Sequence, residues 1–419
     1  MFKKLYADWM YRWETALTTR DENRVVRPLE WGFKWVTPFL ESHGMSDLVP
    51  ASGIEQDPAA AEAAMVRINE ALIEHSELFY GYEKPTDFRL EERYPELFPT
   101  NVRPETLAQD AALKQQAAEG KLAKAQFLRF TSPERTGYPV NDIVNARWYP
   151  APEHKDPKRP KQAIIIMAQW NADAFSHNAL ATIFNKMGIS ALRLSTPYHD
   201  IRRPAELERS DYAMSANIGR TISAFRQAVV DIRCCLDWLE DQGYEDFGVL
   251  GTSIGSCYAY LATTHDPRLR VNAFNHASTA TGDVVWAGQS TRHIRAGLED
   301  AGLTQDRLRK LWLAISPCAY YQKTGQMHRK VAKKILVIYA PYDLTFPVHY
   351  SHMAIDGFKS AGLDYEARVL PCGHYTTGET PFQYIDGWYM GSFVYRAFKN
   401  LRRERQEQEE TVTEDGVTE

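Results

Sequence analysis

The sequence predicts an α/β fold, a mostly parallel sheet flanked by helices, and three observations predict it. Runs rich in β-branched and apolar residues, Gln162 to Ala168 and Lys334 to Ala340 among them, have the continuous hydrophobicity of strands buried on both faces. The pentapeptide Gly251-Thr252-Ser253-Ile254-Gly255 lies between the apolar run Asp246 to Leu250 and a stretch, Ser256 to Thr264, with small and apolar residues at helical spacing. Asp343 and His374 each follow a further strand-like run, so Ser253, Asp343 and His374 all fall just past strand carboxyl ends, where open α/β sheets build their sites.

The G-x-S-x-G at Gly251 to Gly255 has the form of a nucleophile elbow, in which a serine occupies a strained position between strand and helix and small flanking residues let the elements close around it. Serine chemistry needs a base within hydrogen-bond reach and a carboxylate to orient that base. His374, in Pro371-Cys372-Gly373-His374-Tyr375, supplies the first, and Asp343, after the Lys334 to Ala340 strand, the second. Taken singly, each has a plainer role: Ser253 as a helix N-cap, His374 as a loop histidine, Asp343 as an Asx-turn residue. Their joint placement and chain order favour a triad. Asp283, past the strand Arg270 to Asn275, is a rival for the acid.

On these residues the chain resembles the α/β-hydrolase superfamily of serine hydrolases, over roughly 125–400, and within it the abhydrolase domain-containing proteins with amino-terminal extensions. The resemblance implies an α/β-hydrolase fold with an eight-stranded sheet. Ala125 to Thr131 and Asp142 to Pro150 would open it antiparallel. Gln162 to Ala168, Ile189 to Leu194, Asp246 to Leu250, Arg270 to Asn275, Lys334 to Ala340 and Tyr365 to Leu370 would follow. Ala216 to Asp241 would be the helix before the elbow and Tyr384 to Leu401 the closing helix. The family also implies two backbone N–H groups aimed at a developing oxyanion, here those of Ile254 and Trp170. Because the loop reads Ala168-Gln169-Trp170-Asn171-Ala172-Asp173, without the His-Gly of many family members, the register stays open between Gln169, Trp170 and Asn171. Residues 281–333, which carry Trp286, Trp312, Tyr320 and Tyr321, would form a helical lid insertion or a rigid cover.

Other polar residues border the expected cleft. His199 and Arg202, with Arg203, lie in the loop after Ile189 to Leu194 and could contact substrate, the guanidinium forks suiting a planar anion; pairing with Asp200 and Glu206 is the plainer role. His276 could line the pocket or sit hydrogen-bonded in the core. His349 and His352 have helical i, i+3 spacing but no acidic or cysteine partner nearby, so no metal site is expected, and no other cofactor is implied.

With 419 residues and 44% hydrophobic content the chain can bury a large core. No run approaches the 18 apolar residues of a membrane span, and Met1 to Trp9 lacks the apolar stretch of a secretory signal. Five cysteines at low density, two of them adjacent at Cys234 and Cys235, argue against a disulfide framework and for the cytoplasm. Of the net charge of -5, residues 402–419 contribute -4, from seven acidic and three basic residues. The remainder is nearly neutral, which argues against a broad nucleic-acid-binding face, and residues 402–419 are expected as a disordered acidic tail.

Residues 1–124 are expected as a helical extension to the hydrolase domain, 125–401: Lys3 to Leu17, Pro28 to Glu41, Pro58 to Phe79 and Pro104 to Lys124. In the first, Phe2, Leu5, Tyr6, Trp9, Trp13 and Leu17 form a stripe opposite Lys3, Lys4, Asp8 and Arg12. It would dock on the protein's own core, on a twin subunit as a homodimer, or on a membrane surface. The expected activity is cleavage of a small-molecule carboxylic ester by a serine hydrolase. Thioesterase, amidase and acyltransferase chemistry use the same triad, and a non-catalytic interaction module is the alternative outside enzymes.

Overall fold

The computed structural model describes residues 2–156 and 159–415. One nine-stranded sheet runs through it in the order β1-β2-β3-β5-β4-β6-β7-β8-β9. The strands are β1 Arg89–Arg93, β2 Ala125–Thr131, β3 Ile143–Tyr149, β4 Lys161–Met167, β5 Ser190–Leu194, β6 Tyr244–Thr252, β7 Leu269–Asn275, β8 Lys334–Tyr339 and β9 Tyr365–Val369. β1, β2, β3 and β5 pair antiparallel and the rest of the sheet is parallel. Every residue of β4 after Lys161 is buried, as expected of a central strand covered by helices on both faces.

The ninth strand corrects the expected count of eight and makes the extension more than helical. β1 reads Arg-Leu-Glu-Glu-Arg, without the apolar alternation that marks a strand, because it lies at the sheet edge where charged side chains are solvated. Its Glu91 pairs with Arg89 at 2.8 Å and with Arg129 of β2 at 3.5 Å.

The elbow helix Ile254–His265 and the preceding helix Ile218–Asp241 are buried along almost their whole length beside the central strands. The longer one begins where Asn217 accepts a hydrogen bond from the Arg220 N–H, a side-chain cap. Between β7 and β8 the insertion forms four helices, Thr281–Ala287, Arg292–Asp300, Gln305–Leu311 and Tyr321–Lys330. It packs on the extension: Trp312 is fully buried, Asn69 donates to the Leu311 carbonyl at 2.8 Å, and Tyr80 donates to the Ala314 carbonyl at 3.1 Å.

Other differences concern helix limits. The helix expected over 28–41 is reduced to a 3₁₀ turn, Phe33–Trp35, and Thr37–Ser42. Gly32, at φ 67°, breaks it where the chain passes Asn217, close enough that a Cβ would lie 2.1 Å from the Asn217 Oδ1. The closing helix runs Phe382–Asp415, so the tail expected to be disordered from residue 402 continues it. Glu404 pairs with Lys334 at 2.7 Å and Arg405 with Asp246 at 2.7 Å, tying this segment to the sheet. Residues 416–419 lie outside the described part.

The amino-terminal helix, Phe2–Thr19, docks on the protein itself by a face that takes in only part of the expected stripe, Tyr6 and Trp13 packing against the core. Leu5 and Trp9 are 57% and 50% exposed, whereas Met10, Glu14 and Thr18 are fully buried. A stripe drawn through apolar residues misses the centre of this face because two of the three residues there are polar.

Candidate active site

β6 runs straight into the elbow. Ser253 has φ 59° and ψ -123°, a backbone conformation costing about 1–3 kcal/mol that persists only where its surroundings enforce it. Those surroundings are tight: a Cβ on Gly251 would lie 2.0 Å from the Gly255 carbonyl oxygen, and one on Gly255 would lie 2.8 Å from that of Ala168. The Ser253 N–H donates to the Asn275 carbonyl at 2.9 Å, anchoring the turn to the end of β7.

From Ser253 a hydrogen-bonded chain leads inward. Its Oγ is 2.9 Å from His374 Nε2, and His374 Nδ1 is 2.7 Å from Asp343 Oδ2. The other Asp343 oxygen accepts from the N–H groups of Thr345 at 2.8 Å and Phe346 at 2.5 Å. Burial raises the Asp343 carboxyl, but the charge of His374 and hydrogen bonds from His374 and His276 outweigh it and hold the group well below the usual carboxylate range. Burial acts on His374 in the opposite sense, lowering it; the Asp343 charge and hydrogen bond and the Glu14 charge overcome that and raise it above its ordinary value. With Asp343 ionised, His374 Nδ1 must donate, which leaves Nε2 as the acceptor facing the serine hydroxyl.

His276 follows β7 at φ 52° and lines the same cavity, yet its principal contact is not with solvent space. Its Nδ1 lies 3.1 Å from Asp343 Oδ2 and its Nε2 3.0 Å from Thr377 Oγ1, so Asp343 holds two imidazoles. His276, Asp343 and His374 are also the one group of three metal-capable side chains close together among the described residues, and both histidines spend their Nδ1 on the carboxylate. The rival acid Asp283 is engaged elsewhere, in a bidentate pair with Arg309, whose Nε lies 2.8 Å from Oδ2 and whose Nη2 lies 2.8 Å from Oδ1.

A cavity of about 1240 Å³ opens over Ser253, lined by Leu180, Ile183, Met187, Phe225, Val284 and Met390 among others. Trp170 and Ile254 line it with Ser253. The Ile254 N–H is at the first position of the elbow helix, where no intrahelical acceptor exists. In the loop after β4, the Asn171 N–H donates to His199 Nε2 at 3.1 Å, so Asn171 drops out of the oxyanion register.

Arg202 and His199, expected to contact substrate, do not line the cavity. Arg202 is fully buried, bonded to the Asn141 and Ser195 carbonyls at 2.8 and 2.9 Å and paired with Asp231 at 2.9 Å. A buried guanidinium needs such partners to offset its desolvation, and they fix it in the wall of the fold. His199 donates from Nδ1 to the Pro197 carbonyl at 2.9 Å, leaving Nε2 to accept from Asn171. Burial pushes this imidazole down to about 4, consistent with a neutral ring.

Three residues near Ser253 escaped the sequence reading. Glu14 accepts hydrogen bonds from the loop around His374. His177, at φ 69°, reaches Thr252 Oγ1 at 2.8 Å and is pushed down to about 4 by burial. Asp386 of the closing helix, bonded to Asn275 at 2.8 Å, is pushed up to about 6 by burial. The spacing Met10, Glu14, Thr18 was the available signal for Glu14; nothing local marks the others.

Residues 101–292 match the family model described as alpha/beta hydrolase domain containing 18. Acetyl xylan esterase 1 from Thermoanaerobacterium sp. has a similar structure, with a TM-score of 0.50 and 13% identity over 78% of this chain and 93% of that one. An acetyl xylan esterase from Paenibacillus sp. gives 0.49 and 12%, over 77% and 92% of the two chains. An acylaminoacyl peptidase from Pyrococcus horikoshii gives 0.45 and 13%, over 66% and 44%. No curated protein matches the sequence. At such identities the likeness to solved structures is one of fold.

Proposed function

We propose that this chain, which belongs to the α/β-hydrolase superfamily, is a serine hydrolase acting on a carboxylic ester. The observation that carries this is the unbroken chain Ser253 Oγ, His374, Asp343, with contacts of 2.9 and 2.7 Å, at the floor of a large and mainly apolar cavity.

In this mechanism Ser253 Oγ attacks the ester carbonyl while His374 Nε2 takes its proton, and Asp343 stabilises the imidazolium that forms. The carbonyl oxygen becomes an oxyanion held by the N–H groups of Ile254 and Trp170, each worth about 10²- to 10³-fold in turnover. His374 returns the proton to the departing alkoxide, leaving an acyl group on Ser253. Water then attacks the acyl-enzyme, giving a proton to His374, which passes it to Ser253 Oγ as the bond to the acyl group breaks and the acid leaves. No step calls for a metal or organic cofactor, and the histidine needs only to shuttle one proton in each half-reaction. A reducing compartment, the cytoplasm, is supported by five cysteines that are all unpaired. No helix among the described residues is long and apolar enough to cross a membrane.

The test is intact mass after treatment with a fluorophosphonate, which phosphonylates activated serines. Wild type takes one adduct, Ser253→Ala none, and His374→Ala reacts far more slowly. An adduct retained in Ser253→Ala, or ester turnover undiminished in it, overturns the proposal.

A further inference from the structure

The loop that carries His374 is held from outside the hydrolase sheet. Glu14, in the amino-terminal helix, has no exposed surface. Its Oε1 accepts from the Tyr375 N–H at 2.9 Å, and its Oε2 accepts from the Thr376 N–H at 2.9 Å and the Thr376 hydroxyl at 3.1 Å. Thr376 Oγ1 in turn accepts from the Gly373 N–H at 2.6 Å. The backbone on both sides of His374 is thus fixed, directly or through one hydroxyl, to a single carboxylate.

Glycine at 373 makes room for it. A Cβ there would lie 2.4 Å from Glu14 Oε2 and 2.5 Å from its Cδ, so the close approach depends on the missing side chain. The same helix touches both loops of the site. Tyr6 donates to the Pro371 carbonyl at 2.5 Å, and Tyr6 and Tyr11 pack edge-on against Tyr342, the neighbour of Asp343, at 5.6 and 5.4 Å. A buried carboxylate is costly unless its lone pairs are filled, and here the groups that fill them belong almost entirely to the histidine loop.

We propose that Glu14 is a positioning residue of the reaction centre, the amino-terminal helix supplying the carboxylate that sets the His374 loop. This rests on the serine-hydrolase reading for its catalytic consequence, though not for the contact itself. The charged and titratable groups facing His374 are Asp343 from the loop after β8, His276 from the loop after β7, Ser253 from the elbow and Glu14 from the amino-terminal helix. Burial, and after it the Asp343 charge, raise the Glu14 carboxyl above its ordinary value, the Tyr375 and Thr376 N–H groups and the His374 charge offsetting only part of this. The two carboxylates act on His374 in the same sense. Glu14 therefore stabilises the imidazolium that forms as Ser253 attacks and holds the ring where Nε2 meets the hydroxyl.

The experiment compares wild type, Glu14→Gln and Thr376→Val in the full chain, reading steady-state kinetics on a short-chain aryl ester and the His374 titration by nitrogen NMR of labelled histidine. His374→Gln identifies the signal. Glu14→Gln keeps the shape and one acceptor but loses the charge; kcat falls about 10- to 100-fold with KM within a few-fold, as a displaced catalytic group predicts. The His374 titration moves to lower pH in the same variant. Thr376→Val loosens the loop with the Glu14 charge retained, so kcat falls and the titration moves less. A merely structural role would lower the melting temperature and leave the titration unmoved. A folded Glu14→Gln protein with unchanged kcat and unchanged His374 titration overturns the proposal. Wild type inert toward fluorophosphonate and esters, with the titration still moved by Glu14→Gln, sinks the hydrolase reading and keeps the clamp.

Discussion

The loop after β5 carries a buried histidine and the loop after β9 a partly buried one, and the two behave oppositely. His374 faces Asp343 and the Glu14 charge and is raised above its ordinary value, whereas His199 faces a backbone carbonyl and an N–H and is pushed down to about 4. Burial alone lowers both. What separates them is how far anions compensate the lost water: Asp343 and Glu14 do so for His374, whereas Asp200 beside His199 is paired with Arg193, and Arg193 and Arg203 themselves lower that imidazole. The lesson is that a histidine after a strand end becomes a base through what the neighbouring loops bring to it. Arg202, in the same β5 loop, is paired with the buried Asp231 and faces inward.

The largest expected effects fall on the β9 side. His374→Ala and Asp343→Asn should each reduce kcat/KM on an ester by on the order of 10⁴-fold or more, as in triads generally, with the melting temperature checked in parallel. If either variant kept a tenth of wild-type kcat/KM, the contrast between the two loops would lose its chemical meaning.

The β5 loop should instead lose stability. Arg202→Met leaves the Asp231 carboxylate buried without its cation, and breaking such a pair costs about 3–5 kcal/mol. Denaturant unfolding should show the loss, while kcat/KM of the folded fraction stays within a few-fold. A variant with wild-type stability and a raised KM would return Arg202 to the role of a substrate contact.

Most of the sheet was legible because its central parallel strands, β4 and β8 above all, are continuous apolar runs and because a serine between two glycines at a strand end has few other uses. β1 was not, since an edge strand made of arginine and glutamate carries no period-two signal. The order of Ser253, Asp343 and His374 along the chain pointed to the site. The roles of Arg202 and His199 did not follow from it: position in a loop after a strand says nothing about which way a side chain turns, and Asn141, Asp231 and Asn171, distant in sequence, decide that. Glu14 was hidden for a related reason, as its partners Tyr375 and Thr376 lie some 360 residues away.

Within the β5 loop a smaller effect on turnover remains. His199→Phe removes the acceptor for the Asn171 N–H, next to the proposed Trp170 donor. Loss of a donor outright costs about 10²- to 10³-fold, so loosening its neighbour should cost about 10-fold in kcat, with KM little changed. Rates unaffected by His199→Phe would mean that the loop is held by its other contacts, such as the Ser210 N–H on Asn171 Oδ1 at 2.8 Å.

The finest test of the contrast is pH. His374 must be neutral to accept the Ser253 proton, so kcat/KM should rise with pH through the titration of His374 in the free enzyme. Because the Asp343 and Glu14 charges outweigh burial there, the midpoint should lie above the ordinary histidine value near 6.5. His199, pushed down to about 4, should stay neutral across the same range and contribute no second step. A midpoint below 6.5 would show that burial dominates in both loops, and the difference drawn between them would then rest on Ser253 alone.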